Sequence, residues 1–199
     1  MLIVTGFEPF GKFKSNPSAD LAEYLGNSDI KSIIVPVTYE GAKRYAREII
    51  EMRPKAVVSF GLAAGRPQIS IEKIAVNIIS SSMPDNEGKK AEREKIFEDG
   101  EDSFSSTLPV YEIVDALHKD KIPAYVSYHA GTYVCNTLLY SLLYYARKYG
   151  ESIPIGFVHL PATEKMAIGK NMPYVEFGTM KRAGKIILEL ISRLSSPWP

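Results

Sequence analysis

Short runs of β-branched and apolar residues recur along the chain: LIVT (2–5), SIIVPV (32–37), AVVSF (56–60), AYVSY (124–128) and IGFVHL (155–160). Runs of this kind are what strands covered on both faces require. Helical periodicity fills the gaps. Asn16-Pro17-Ser18 reads as an N-cap with proline at the first helical position, opening a helix that stops at Gly26. Thr38 is positioned to cap a second helix through AKRYAREIIEM, which Pro54 ends. VYEIVDALHKD predicts a third helix and Cys135 to Tyr149 a fourth, closed by Gly150. MKRAGKIILELISRL predicts a long amphipathic helix near the C-terminus. Strands alternating with helices argue for a three-layer α/β/α domain spanning 1–199.

One strand breaks the parallel pattern. ISIEKIAVNI (69–78) follows AVVSF with only GLAAGRPQ completing the gap, too little chain for a crossover helix. The two are expected to pair antiparallel, making the sheet mixed but mostly parallel. Residues 80–109 form the one long polar stretch, either a solvated hairpin or a functional loop.

Composition narrows the class without changing this picture. A chain of 199 residues fits one core, since single cores serve up to roughly 250 residues. The formal net charge of +1 offers no electrostatic reason to expect nucleic acid or an anionic membrane. No segment approaches the ~20 apolar residues of a membrane span. MLIVTGFEPFG lacks a basic n-region and reads as a first strand rather than a signal peptide. With one cysteine there is no internal disulfide, so the expected setting is the cytosol.

That cysteine is the first candidate for chemistry. Cys135 falls between the glycine turn at Gly131 and an apolar helix whose buried face is Leu138, Leu139, Leu142, Leu143 and Ala146. A lone cysteine is ordinarily a small core hydrophobe. At a helix N-terminus, however, the free N–H groups and the dipole favour a thiolate and can hold an oxyanion. Such a nucleophile needs a base and a group to orient it. His159 ends a buried strand, where α/β sheets place their sites. His118 lies at the end of a polar helix, where the dipole alone accounts for it, and His129 lies in the turn before Cys135. Alternation along 69–78 puts Glu72 on a face with Ile74, Val76 and Ile78, so its carboxylate needs a partner if that face is buried.

Together these segments resemble the pyroglutamyl peptidases (pyrrolidone-carboxylate peptidases). GLAAGRPQISIEKIAVN is similar to that family's glutamate signature, SYHAGTYVCN to its cysteine signature and GFVHLP to its histidine segment. TGFEPFG followed by NPS, and PDNEG further on, extend the resemblance over nearly the whole chain. The resemblance implies Cys135 as nucleophile, His159 as general base and acid, and Glu72 as the residue orienting the histidine. It also implies Phe7 and Phe10 as walls of a lactam pocket with Asn16 nearby. The implied reaction removes an N-terminal pyroglutamyl residue from a peptide, without metal or organic cofactor, in a cytosolic homotetramer. The chain departs from the family pattern at Leu62, where many members carry glutamine, at Ser82, where many carry arginine, and at His129, where a small residue is usual. Two other readings therefore stay open: a cysteine amidohydrolase for another small lactam or N-acyl compound, and a relative that binds without turnover. Tyr140, Tyr144, Tyr145 and Tyr149 on the cysteine's helix read first as core packing, and Trp198 is the remaining aromatic considered for an interface.

Overall fold

A computed structural model describes residues 1–194; Trp198 lies outside the described residues. The chain runs β1 (Leu2–Phe7), α1 (Pro17–Leu25), β2 (Ile30–Val35), α2 (Tyr39–Glu51), β3 (Ala56–Leu62), β4 (Ile69–Glu72), β5 (Ile74–Val76), β6 (Ile79–Ser81), β7 (Ala91–Glu94), β8 (Ser103–Ser105), α3 (Val110–Lys119), β9 (Ala124–Ser127), α4 (Val134–Lys148), β10 (Ile155–Leu160), α5 (Glu164–Ala167) and α6 (Phe177–Leu194). Local chemistry sets the helix starts as expected. The Asn16 side chain accepts from Ser18 N to begin α1, and Thr38 Oγ1 accepts from Gly41 N to begin α2.

Six strands form the central sheet in the order β2-β1-β3-β10-β4-β9. All neighbours are parallel except β10 and β4, so the sheet is mixed and mostly parallel. One face packs Ile3, Val57, Ile155 and Phe157 against α2 and α4. The other packs Val4, Val58, Phe60 and Val158 against α1, α3 and α6. This is the three-layer arrangement that a doubly covered sheet demands.

The antiparallel strand differs from expectation in partner and in length. β4 does not pair with β3; β10 lies between them and supplies the antiparallel partner. A strand from the far end of the sequence completes the sheet, a long-range pairing that local spacing does not encode. The run 69–78 is also not one strand. After Glu72 the Lys73 N–H still bonds Ser127 O, and the chain then leaves the sheet to pair β5 with β8. The face alternation therefore holds for Ser70 and Glu72 but does not carry on to Ile74, Val76 and Ile78. The polar 80–109 segment is ordered: β6 pairs with β7 as a hairpin, and β8 returns to β5. No helix of the described residues is long and apolar enough to cross a membrane.

Candidate active site

The carboxyl ends of β1, β3 and β10 converge beneath the start of α4. After β1 the chain winds through α1 to β2 on one side, and then through α2 to β3 on the other. The crevice at such a reversal is where open α/β sheets hold ligands. Gly131, at φ 81°, turns the loop after β9 into α4. Cys135 is the second residue of that helix and is half-buried. Its thiol rests against β3: a Cβ added at Gly61 would lie 3.1 Å from Cys135 Sγ. Gly61 is in turn the register partner of His159 on β10. Absence of a side chain at Gly61 leaves the thiol its place over β3, next to the strand that carries His159.

His159 Nδ1 lies 2.7 Å from Glu72 Oε1, on the face that β4 and β10 share. A carboxylate there accepts the Nδ1–H, which leaves Nε2 as the free base. Glu72 is fully buried and is held charged, below the ordinary carboxylate range. Burial opposes that charge; the hydrogen bond to His159, with Ser127 and Arg66 adding, outweighs it. Burial also lowers His159, against the pull of Glu72, so the imidazole is neutral at neutral pH. The thiol behaves differently from expectation. Burial pushes Cys135 up to about 12 and the Glu72 charge adds to this, while Arg66 and the backbone N–H of the helix terminus oppose without prevailing. At rest the sulfur carries its proton.

Beside this group lies a cavity of about 160 Å³. Phe7, Phe10, Val37, Leu62, Met83 and Tyr133 wall it, and Cys135 and His159 border it. No Lys, Arg, Asp or Glu lines it. Asn16 reaches the cavity, but its side chain is occupied: Oδ1 accepts from Ser18 and Nδ2 donates to Glu8 O. Asn16 thus shapes the loop that carries Phe7 and Phe10. Larger grooves elsewhere, including one of about 340 Å³ between α1 and α6 that holds Lys185 and Glu189, are lined by no cysteine or histidine among the described residues.

Of the residues singled out in the sequence, the structure brings Cys135, His159, Glu72, Phe7, Phe10 and Asn16 to one place. His118 is elsewhere, its Nε2 2.7 Å from Ala124 O. His129 is exposed, and its Nδ1 accepts from Gly131 N within the turn. Sequence reasoning missed several supports. Glu8 Oε1 accepts from Val37 N and from Asn86 Nδ2, and Asn86 also donates to Pro9 O, so FEPFG is clasped to PDNEG. Asp85 folds PDNEG on itself through Glu87 N and Lys89 N and accepts from Tyr39 N. Asn136, next to the thiol, bonds Val76 N, Val76 O and Ile78 O, fastening α4 to the strands below. Arg66 meets Glu72 Oε1 at 2.5 Å. A lone charge in the short loop between two buried strands was the signal available for it.

A thiol at a helix N-terminus, beside a histidine–carboxylate pair over the end of a three-layer sheet, defines a cysteine hydrolase. Comparison with known proteins narrows this. Residues 1–193 match the pyroglutamyl peptidase family, and the chain belongs to it. It is 40% identical to a pyrrolidone-carboxylate peptidase of Thermococcus kodakarensis, over 96% of this chain and 95% of that one. A Thermosipho africanus pyrrolidone-carboxylate peptidase is 38% identical over 92% of each chain. Among solved structures, pyroglutamyl peptidase I from Bacillus amyloliquefaciens superposes with a TM-score of 0.93 at 32% identity, covering 100% of this chain and 97% of that one.

Proposed function

We propose that this chain removes N-terminal pyroglutamyl residues from peptides, with Cys135 as nucleophile, His159 as general base and acid, and Glu72 orienting the imidazole. One observation carries the reading: Cys135 and His159, the latter bonded to Glu72, border a small apolar cavity that no formally charged side chain lines. A five-membered lactam is compact and neutral, and fits such a cavity where a charged terminus does not.

As the Cys135 Sγ attacks the pyroglutamyl carbonyl, the S–C bond forms and the thiol proton passes to His159 Nε2. The carbonyl oxygen becomes an oxyanion at the first turn of α4, whose N–H groups no side chain caps. Collapse breaks the C–N bond, and the leaving amine takes the proton from His159. Water then gives a proton to His159 and attacks the thioester; pyroglutamate leaves, and the proton returns to the sulfur. The acyl ring sits on the β1–β3 side with Phe7 and Phe10, and the leaving peptide extends past His159. The assembly is a cytosolic homotetramer, a reading supported by the resemblance and by the exposed Ile168 and Tyr174. Light scattering should give about four times the 22.1 kDa chain mass; the monomer mass contradicts it.

Hydrolysis of pyroglutamyl-p-nitroanilide tests the reading. The wild type should turn over in EDTA, and Cys135→Ala should not. Absence of wild-type turnover refutes the proposal, and equal turnover of other acyl anilides points to the broader amidohydrolase.

A further inference from the structure

Arg66 lies in the loop after β3, in a turn closed by its own N–H to Ala63 O. From that loop its guanidinium reaches two other parts of the site, β4 and the β9–α4 loop. One nitrogen bonds both Ser70 Oγ and Glu72 Oε1, the same oxygen that holds His159, and the other lies 3.4 Å from His129 O. The β3 exit, the carboxylate strand and the loop leading to the nucleophile helix are thus joined through one side chain, which is three-quarters buried. Arg66 does not line the acyl cavity. A buried carboxylate whose only strong partner is an imidazole has two ways to relieve its isolation: it takes a proton, or it draws one onto the histidine. Either ends base catalysis, the first by losing the acceptor for Nδ1–H and the second by occupying Nε2. A second, permanent cation on the same oxygen removes the need for both.

We infer that Arg66 is a positioning residue for the reaction, holding Glu72 charged and aimed so that His159 rests as a neutral base. This rests on the triad reading given above. The charged and titratable groups facing His159 are Glu72 from β4, Arg66 from the β3–β4 loop, His129 from the β9–α4 loop and Cys135 from α4. Arg66 opposes a proton on His159 and favours loss of one from Cys135, so it acts in the same sense on both reacting groups.

The experiment compares wild type, Arg66→Gln and Arg66→Lys by pH–rate profile with pyroglutamyl-p-nitroanilide and by NMR titration of the three histidines. In Arg66→Gln the acidic limb of kcat/KM should move to higher pH together with the His159 resonance. Activity at pH 6 should fall on the order of tenfold or more, with KM little changed. Arg66→Lys should restore the limb, because it keeps the charge, while recovering kcat only in part. A merely structural role lowers Tm and the active fraction but leaves both the limb and the resonance where they were, and that result overturns the inference. A rise in KM at constant kcat overturns it too, by making Arg66 a substrate contact. The NMR titration needs no substrate, so it decides on Arg66 even if the wild type fails to hydrolyse the anilide.

Discussion

Gly61→Ala tests whether the thiol is seated as described. The added Cβ would lie 2.6 Å and 2.9 Å from two carbons of the Phe157 ring and 3.1 Å from Cys135 Sγ. Carbon atoms in contact sit at about 3.5–4.0 Å, so the ring must withdraw by about 1 Å and the sulfur by a few tenths. Phe157 has no free space to move into: it is fully buried, with Phe7 at 6.2 Å and His159 at 4.8 Å between ring centroids. Overpacking of this kind costs about 1–3 kcal/mol, and each kcal/mol lowers Tm by about 2–4 °C in a chain of this size. A displacement of about 1 Å passed to the imidazole costs on the order of 100-fold in rate. The assay is kcat/KM for pyroglutamyl-p-nitroanilide beside a thermal melt, with Gly178→Ala as control, since nothing lies within 4 Å of a Cβ there. The control should keep activity and gain a little stability. A Gly61→Ala protein with the wild-type Tm and a rate within about twofold of wild type would refute the placement of Cys135 over β3.

Other perturbations separate orientation, pocket shape and ionisation. Glu72→Gln can donate to Nδ1 and so fix the wrong tautomer; steady-state kinetics should show kcat reduced on the order of 10²–10⁴ with KM much less affected. Asn86→Ala removes the bonds to Glu8 and Pro9 that clasp the two pocket loops, and should raise KM by about tenfold while Tm changes little. Stability should fall on the acid side, because His159 and Glu72 both sit below their unfolded values: below about pH 6.5, and further below about 4.5, the unfolded chain binds protons that the folded one refuses. On the alkaline side Cys135 is raised from 9.0 to about 12, so the unfolded chain ionises first and stability is lost over that interval. Melts of wild type and Cys135→Ala between pH 8 and 11 should diverge above 9, and parallel curves would contradict a buried neutral thiol.

The longer helices were legible from their periodicity, and the starts of α1 and α2 from single capping residues; the short α5 was not foreseen. Asn16 and Thr38 stand where a cap is needed and α1 and α2 begin at them, whereas α4 begins at Val134, three residues after the left-handed Gly131 turn and without a side-chain cap. The parallel strands were legible from β-branched runs. The position of β4 was not, because its antiparallel partner β10 is contributed more than eighty residues later, and neighbours in sequence are only a prior for neighbours in space. The site divides the same way. Cys135 and His159 are marked by their places at the ends of elements, whereas Arg66, Glu8 and Asn86 act through contacts between loops that no periodicity records. Charge at a helix terminus was the weakest guide. At Cys135 the dipole argument named the right place and the wrong resting state, because burial beside Glu72 outweighs it.

That resting state bears on selectivity. Ionising the thiol in advance would set a thiolate beside the charged Glu72 carboxylate, whose oxygen already engages both Arg66 and His159. A neutral thiol and a neutral imidazole avoid this cost, and in the proposed mechanism the proton moves only as the S–C bond forms and charge passes to the carbonyl oxygen. The developing oxyanion lies at the helix terminus, where the N–H groups of α4 are preorganised to receive it. The dipole that fails to ionise the free thiol therefore acts where it is strongest in effect, on the transition state. A reagent attacked at a saturated carbon develops no oxyanion at that terminus and gains nothing from it. Alkylation of Cys135 by iodoacetamide at neutral pH should accordingly be slow relative to acylation by a pyroglutamyl substrate, and an alkylation rate that exceeds substrate turnover would mean that the thiolate is formed before substrate binds.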